Sequence, residues 1–335
     1  MKSLYKISVI IPTYNRRNSV KRILKALAEQ TFSPRDYEVI VSIDGSEDGT
    51  GEIIEEFKPD YSLRSIWSPN SGRAAACNRG IREASGDVII LLDDDMEPSR
   101  EFINAHYAAH IGEERLGVMG AAPVPIKDTS QPIVKYIGTK FNNHLKKISA
   151  PGYNFQIRDF YSGNFSIRRE LLLEIGVFNE AFRIYGNEDV ELAWRMLGAG
   201  VKLSYNSDAL ATQHSEKDFR GIAGDNIAKG KTAVLLASLY PDSINHLKLS
   251  EYRHPSWKWG TLRRALVSVS MIFSKTPELI ILFTRLMEKL HPAYLETCYF
   301  LSLDYFFWYG VEITLNDSNI DNREKLMHNI KYSKS

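Results

Sequence analysis

The chain has 335 residues, with 42 Lys and Arg against 41 Asp and Glu, a formal net charge of +1. That balance excludes a protein drawn to nucleic acid by a global basic excess, and 44% hydrophobic with 25% charged residues is an ordinary globular composition. The two cysteines, Cys77 and Cys298, lie far apart without CxxC spacing, which excludes a disulfide framework or thiolate zinc site and fits a reducing, cytoplasmic compartment. No run of 18 apolar residues predicts a membrane span, and the N-terminus reads as strand rather than secretory signal.

Residues 6–11 (KISVII) form a β-branched run ended by Pro12, a first buried strand. The loop Thr13-Tyr14-Asn15-Arg16-Arg17 leads into an amphipathic helix from Ser19, with Val20, Ile23, Leu24, Leu27 and Ala28 on its apolar face. A second strand, 37–43, is closed by Asp44-Gly45-Ser46; a helix over 50–57 and a weak strand over 61–67 follow. Asn70-Ser71-Gly72-Arg73 opens a helical segment to Ala84. Ser85-Gly86-Asp87 then turns into Val88–Leu92, an unbroken apolar run of the kind found in a central strand covered on both faces. Alternating strand and helix mean βαβ units on a parallel sheet, an α/β fold.

Leu92 runs straight into Asp93-Asp94-Asp95, with Glu97 and Pro98 beyond. Three adjacent carboxylates repel one another and call for a compensating cation. Hard oxygen ligands suit Mg²⁺ or Mn²⁺, which travel with phosphates, although a polar turn closing the strand also accounts for these residues alone. The loops around Tyr14, at Asp44 and at Asp93–Asp95 each follow a strand. Strands of a parallel sheet point one way, so these loops converge at the carboxyl edge, where such sheets bind ligands.

The turn after the first strand carries no glycine, so the dinucleotide fingerprint is missing. Gly224 to Gly230-Lys231-Thr232 has five intervening residues where a phosphate-binding loop needs four. A nucleotide would have to be held by side chains: Asp44 accepting from a base N–H or ribose hydroxyl, Tyr14 covering a base, Arg73 reaching a base carbonyl or a phosphate. Asp44-Gly45 taken alone also reads as a plain turn.

In order and spacing, SVIIPTYNR (8–16), VSIDGSEDGT (41–50), NSGRAAACNRGI (70–81) and SGDVIILLDDDMEP (85–98) resemble a family 2 glycosyltransferase of the GT-A fold. The resemblance implies a catalytic domain over 1–215, divided into a nucleotide-sugar half (1–98) and an acceptor half (99–215), followed by a helical region over 216–335. It implies donor contacts from Pro12, Thr13, Tyr14, Asp44 (at a uracil ring), Asn70, Gly72, Arg73, Asp93 and Asp94. Asp95 would bind the Mn²⁺ or Mg²⁺ that bridges the diphosphate, with Asp93 facing the ribose or the metal and His214 as a further ligand.

Beyond Glu97 the pattern predicts a helix at 99–110, a strand at 116–122, an irregular excursion over 123–160 with one helix near 130–146, and a strand at 201–205. Ser162-Gly163-Asn164 starts a strand with residues small enough for a ligand to approach, so Gly163 and Asn164 are expected on the acceptor side. Asn187 can N-cap a helix to about Leu197. Glu188 and Asp189 fall in its first turn, where the helix dipole favours carboxylates whether or not they do chemistry. Residues 163–195, from Gly163-Asn164-Phe165 to Ala193-Trp194-Arg195, resemble the acceptor half of the same glycosyltransferases, in which an acid of the Glu-Asp pair is the base. Asp189 is therefore expected as base and Glu188 as the residue that orients acceptor or sugar. No Q-x-x-R-W motif follows, which implies a non-processive enzyme.

The implied activity is inverting transfer from a nucleoside diphosphate sugar, most often a UDP-sugar, to a glycan or lipid-linked saccharide in cell-surface polysaccharide or glycoconjugate synthesis. Two alternatives stand beside it: a sugar-phosphate nucleotidyltransferase, which would want a Gly-rich basic loop after the first strand, and an inactive sugar-nucleotide-binding module.

Residues 216–335 read as helices near 217–240, 242–250, 260–273, 277–290, 293–314 and 320–331. Segment 251–291 mixes Arg253, Lys258, Arg263, Arg264, Lys275, Arg285 and Lys289 with Trp257, Trp259, Ile272, Phe273, Leu279, Ile280, Ile281 and Phe283. Tyr299, Phe300, Tyr305, Phe306, Phe307, Trp308 and Tyr309 follow. Such a mixture suits peripheral contact with the cytoplasmic face of a membrane, and equally a homodimer through 251–335 or a subdomain packed on the catalytic domain.

Overall fold

The structure, a computed structural model, describes residues 4–252, 256–290, 292–317 and 323–332. Arg253 and residues 320–322 of the expected last helix lie outside them.

The elements of the first two-thirds are β1 (Tyr5–Thr13), α1 (Arg17–Ala28), β2 (Tyr37–Asp44), α2 (Thr50–Glu56), β3 (Ser62–Ser68), α3 (Arg73–Glu83), β4 (Gly86–Leu92), β5 (Met96–Pro98), α4 (Phe102–Ala109), β6 (Leu116–Gly120), α5 (Pro132–Ile148), β7 (Asn164–Arg168), α6 (Arg169–Ile175), α7 (Glu188–Gly198), β8 (Lys202–Asn206) and β9 (Ala211–Gln213). A seven-stranded sheet runs β3-β2-β1-β4-β7-β6-β8. β1 pairs in parallel with β2 and β4, β2 with β3, and β6 with β8, while β7 runs antiparallel between β4 and β6. A mostly parallel sheet flanked by helices is the GT-A architecture that the motifs implied.

The unbroken apolar strands are explained by burial on both faces. Ile7, Val9 and Ile11 of β1 and Val88, Ile90 and Leu92 of β4 join one core with Val20, Ile23, Leu24 and Leu27 of α1. Ile10 of β1 and Ile89 and Leu91 of β4 point the other way, into a core with Cys77 and Ile81 of α3 and Leu192, Ala193 and Met196 of α7. Each such side chain contributes about 1.5–3 kcal/mol of transfer free energy. The two layers therefore anchor α3 and α7 on one face of the strands whose tips carry the acidic residues.

Pro12, expected to end the first strand, lies inside it, and a second proline closes a short strand. Pro12 sits within β1 opposite Ser42, beyond the last β1–β4 pair at Ile10–Leu91. Pro98 ends β5, which pairs with β9 in a separate two-stranded ribbon. Proline is tolerated at such edges because few ladder bonds are lost there.

Two compact units divide the chain. The first is Met1–Lys127, Ile137–Arg183 and Glu188–Ser215; the second is Asp128–Tyr136, Ile184–Asn187 and Glu216–Ser335. The second contains α8 (Phe219–Leu239), α9 (Trp257–Ile272), α10 (Thr276–Leu290), α11 (Leu295–Leu315) and α12 (Arg323–Tyr332). α8 and α11 approach closely at glycines: a Cβ on Gly230 would lie 2.0 Å from the Phe307 carbonyl oxygen, and one on Gly310 would lie 2.1 Å from that of Ile227. Gly230 is thus a helix-crossing residue, which accounts for the near miss to a phosphate loop. Among the described residues no helix is long and apolar enough to cross a membrane.

Candidate active site

Asp44, the last residue of β2, is 4% exposed and is wrapped by the turn that opens α3. Its Oδ1 accepts from the Ser71 amide (3.0 Å), the Ser71 hydroxyl (3.2 Å) and Arg79 Nη2 (2.6 Å); its Oδ2 accepts from the Gly72 amide at 2.9 Å. Gly72 has φ +94°, and a Cβ there would lie 2.5 Å from the Arg183 carbonyl oxygen, so only glycine fits. Asn70 donates to the Asp44 carbonyl (3.1 Å) and so clamps the loop. Oδ2, with one donor, keeps acceptor capacity for a ligand N–H or O–H.

The loop after β1 is stitched to both acidic loops. Thr13 Oγ1 donates to Asp94 Oδ2 (2.8 Å), the Asn15 amide to Ser46 Oγ (2.9 Å), and the Glu47 amide to Asn15 Oδ1 (3.0 Å). Pro12 is buried, while the ring of Tyr14 stands half exposed beside them in sequence. The three loops therefore do converge.

Arg73, the first residue of α3, ties the strand-tip acids together. Its Nε (3.0 Å) and Nη2 (2.5 Å) donate to Asp93 Oδ1, its Nη1 donates to Ser162 Oγ (3.0 Å), and Nη1 lies 3.6 Å from Glu188 Oε1. Burial works against the guanidinium charge, but Asp93 and Glu188 outweigh it and hold Arg73 cationic. Arg73, expected at a base or phosphate, is the counter-charge that brings Asp93 and Glu188 together. Asp94 is pushed up to about 7, first by burial and then by Asp93 and Asp95, against the Thr13 hydrogen bond. Asp95 is pushed up to about 6 by burial and then by Asp93. Buried Glu188 is raised by burial and then by Asp189, with Arg73 opposing.

Glu188 and Asp189 begin α7, but Asn187 is not its cap. It adopts a left-handed φ of +62°, and its amide donates to the Lys229 carbonyl (2.9 Å) and Thr232 Oγ1 (2.8 Å). A cap needs extended backbone. Asp189 is partly exposed and accepts from the Val190 amide at 2.8 Å, so it is the more accessible acid of the pair.

Asp93, Asp95 and His214 were expected to share a metal. Among the described residues no three His, Cys, Asp or Glu side chains are close enough together to hold one. Asp93 is turned to Arg73, and His214 Nε2 lies 2.7 Å from Glu97 Oε2. A divalent cation nevertheless fits Asp95. Its Oδ1 is buried without a hydrogen-bond partner, while Oδ2 accepts only weakly from Gln213 (3.2 Å). Mg²⁺-type ions are commonly held by one or two carboxylates plus substrate phosphates and water rather than by an all-protein cage. The His214 amide donates to the Asp95 carbonyl (2.8 Å), so the two residues adjoin. The contact between His214 Nε2 and the Glu97 carboxylate is the carboxylate–histidine arrangement common around metals.

Gly163 and Asn164 were expected to meet the acceptor, and neither does so by the geometry. Asn164 is fully buried and saturated: it donates to the Ala121 and Ala209 carbonyls (both 2.9 Å) and faces His106 Nε2 at 2.8 Å. A Cβ on Gly163 would lie 2.4 Å from Asp93 Oδ2. Gly163, at this strand start, makes room for the site's own carboxylate. Gly163→Ala is expected to push Asp93 off Arg73, costing about 1–3 kcal/mol in a chemical melt and weakening donor binding in titration. Missed in the sequence were Arg79, Ser162 and Glu97. Their partners Asp44, Arg73 and His214 are 35, 89 and 117 positions away, and no local pattern links such distances.

Acidic loops gathered at the carboxyl edge of a mostly parallel sheet, facing an acid pair at a helix start, define a GT-A transferase. The chain belongs to glycosyl transferase family 2, whose family model matches residues 8–176. A second model, described as the N-terminal domain of galactosyltransferase, matches residues 143–216. The chain is 30% identical to an uncharacterised glycosyltransferase of Bacillus subtilis over 63% of its own length and 65% of the relative's. It is 26% identical to validoxylamine A glucosyltransferase of Streptomyces hygroscopicus over 61% of its own length and 50% of the relative's, so it spans about half to two-thirds of these two. In fold it is similar to a mannosyltransferase from Pyrobaculum calidifontis in complex with GDP-Man and Mn²⁺ (TM-score 0.61, 19% identity, 94% of this chain and 88% of that one). It is also similar to S. aureus TarS 1–349 in complex with UDP-GlcNAc (TM-score 0.52, 16% identity, 94% and 93%).

Proposed function

We propose that this chain transfers a sugar, with inversion, from a nucleoside diphosphate sugar, a UDP-sugar in the favoured reading, to a hydroxyl of a saccharide or lipid-linked saccharide. The observation that carries the reading is Arg73, bonded to Asp93 and 3.6 Å from Glu188, which makes the β4 tip and the α7 start one site. Solved structures similar in fold bind GDP-Man with Mn²⁺ and UDP-GlcNAc, which supports a nucleotide-sugar ligand.

In this reading Asp44 Oδ2 accepts from the base and Tyr14 covers it. Asp95, which His214 adjoins through its backbone amide, would hold a divalent cation, and the Thr13–Asp94 bond fixes the loop between them. That cation, when bound, neutralises charge on the departing diphosphate. Asp189 takes the proton from the acceptor hydroxyl as its oxygen bonds to the anomeric carbon and the bond to the diphosphate breaks on the opposite face. Glu188, held by Arg73, orients the sugar or acceptor.

Asp94 and Asp95 retain protons above the ordinary carboxylate range, so the unfolded chain binds fewer protons than the folded one between about pH 4 and 7. Their contribution to stability is present at low pH and is lost as pH rises through about 6–7. A cation on Asp95 removes part of that cost. The rise in melting temperature produced by Mn²⁺ is therefore expected to grow from about pH 5 to pH 8, to increase further with the cognate donor from a panel of UDP- and GDP-sugars, and to vanish in Asp95→Asn. Nucleoside diphosphate release from the same donor should fail in that variant and with chelator. Pyrophosphate release from a nucleoside triphosphate and a sugar phosphate would overturn the reading in favour of nucleotidyl transfer.

A further inference from the structure

In the second unit, α9 and α10 bury polar side chains alongside Val267 and Ile281. Their inward faces carry polar groups bonded to α11: Ser270 Oγ lies 2.6 Å from Tyr305 OH, and Thr284 Oγ1 lies 3.0 Å from Ser302 Oγ, all buried. Arg263, expected among the surface cations, is buried against Asp304 at 3.2 Å. The aromatics of α11 invoked for a membrane interface, Tyr299, Tyr305, Phe306, Phe307 and Trp308, are core residues.

The outward faces carry rows of exposed apolar side chains. Leu279, Leu282, Phe283, Leu286 and Leu290 follow helical spacing along one stripe of α10, and every one is exposed. Leu262, Val269 and Ile272 do the same on α9. At the turn joining the two helices Ile272 is 77% and Phe273 65% exposed. Single exposed apolar residues need no explanation, but a ridge of them on each of two successive helices and at the turn that joins them marks a surface made to be covered.

Its charge identifies the cover. Lys258, Arg264, Lys275 and Lys289 are exposed around the ridge, while both acids of 256–290 are engaged: Glu278 with Arg220 at 2.6 Å and Glu288 with the Tyr299 hydroxyl at 2.5 Å. Closure on a second copy of the chain would bring four cations against four. An anionic lipid surface satisfies both features, taking Ile272, Phe273 and the α10 stripe into the acyl boundary and the lysines onto headgroups, with Trp257 and Tyr294 of the types that sit at that depth. We propose that the α9–α10 face of this unit docks on an anionic membrane surface. The proposal is independent of the sugar-transfer reading.

Flotation of the full chain with phosphatidylcholine vesicles, with and without phosphatidylglycerol, tests it. The chain is expected to float with the anionic vesicles, to be released by high salt, and to remain behind with the zwitterionic ones. Lys275→Gln and Lys289→Gln should each weaken partition about fivefold, and Phe273→Ser about tenfold. Their melts and their release of nucleoside diphosphate in the absence of vesicles should match the parent, because these side chains are exposed and outside the first unit. A chain that stays in the supernatant with anionic vesicles at low salt overturns the proposal, as does binding indifferent to these substitutions. A dimer that dissociates in Phe273→Ser and Leu282→Ser overturns it too, by assigning the face to a second copy.

Discussion

Asp189→Asn is expected to lower kcat by about 10²–10⁴-fold, the usual worth of a positioned general base, while leaving the Mn²⁺- and donor-dependent melting shift in place. The substitution keeps the shape of the side chain and its hydrogen bond to the Val190 amide through the amide oxygen. Only the capacity to take a proton is lost. Steady-state kinetics with a fixed donor and acceptor separate the outcomes. A fall in kcat with donor affinity unchanged supports the assignment; unchanged kcat excludes Asp189 as base and turns attention to Glu188. That residue is less suited in the resting site, because it is 4% exposed, pressed towards Arg73 and pushed up in pKa by burial and by Asp189.

The second large effect concerns stability. Arg73→Met removes the guanidinium from between Asp93 and Glu188 and leaves two carboxylates facing each other in a site that is mostly closed to water. Breaking a buried pair by deleting one partner costs about 3–5 kcal/mol, a fall of roughly 10 °C in melting temperature for a unit of this size. The loss should be smaller at low pH, where Glu188, raised by burial and by Asp189, takes up a proton. Arg73→Lys keeps the charge but loses the fork that serves Asp93 and Ser162 at once, so it should recover stability more than activity. A melt of Arg73→Met equal to that of the parent would show that the acids are held apart by other means.

Much of the catalytic fold was legible because its cause is local. The two-faced apolar runs of β1, β2 and β4 announce a doubly covered parallel sheet, and the direction rule for such sheets places Tyr14, Asp44 and Asp93 at one edge without knowledge of any contact. The placement of β7 was not legible. It enters antiparallel between β4 and β6 after an excursion of some forty residues, and nothing in its own five residues carries that information. The ribbon of β5 and β9 was missed for the same reason. Met96–Pro98 meets Ala211–Gln213 across more than a hundred positions, and a proline in a three-residue strand argues against strand locally.

The site divides in the same way. Residue type and position alone left Asp44, Asp93, Asp95, Glu188 and Asp189 open to turns and a helix start; the resemblance in motif order and spacing nominated them as site residues. What each is bonded to was decided only in three dimensions. Asp93, read as a metal or ribose ligand, is claimed by Arg73; Asn164, read as an acceptor contact, is a sealed support under the sheet; Gly163 is small for the sake of Asp93. The charge balance of the cluster followed the same rule. Three adjacent acids called for a cation, and the fold answers for the first of them with an arginine from α3, leaving the orphaned Oδ1 of Asp95 as the oxygen with an unmet need. Hydrophobic period and strand direction act over a few residues and survive in the sequence. Ion pairs between distant segments depend on where the sheet delivers them, so the chain determined which groups were available and the tertiary structure decided which of them were spent on one another.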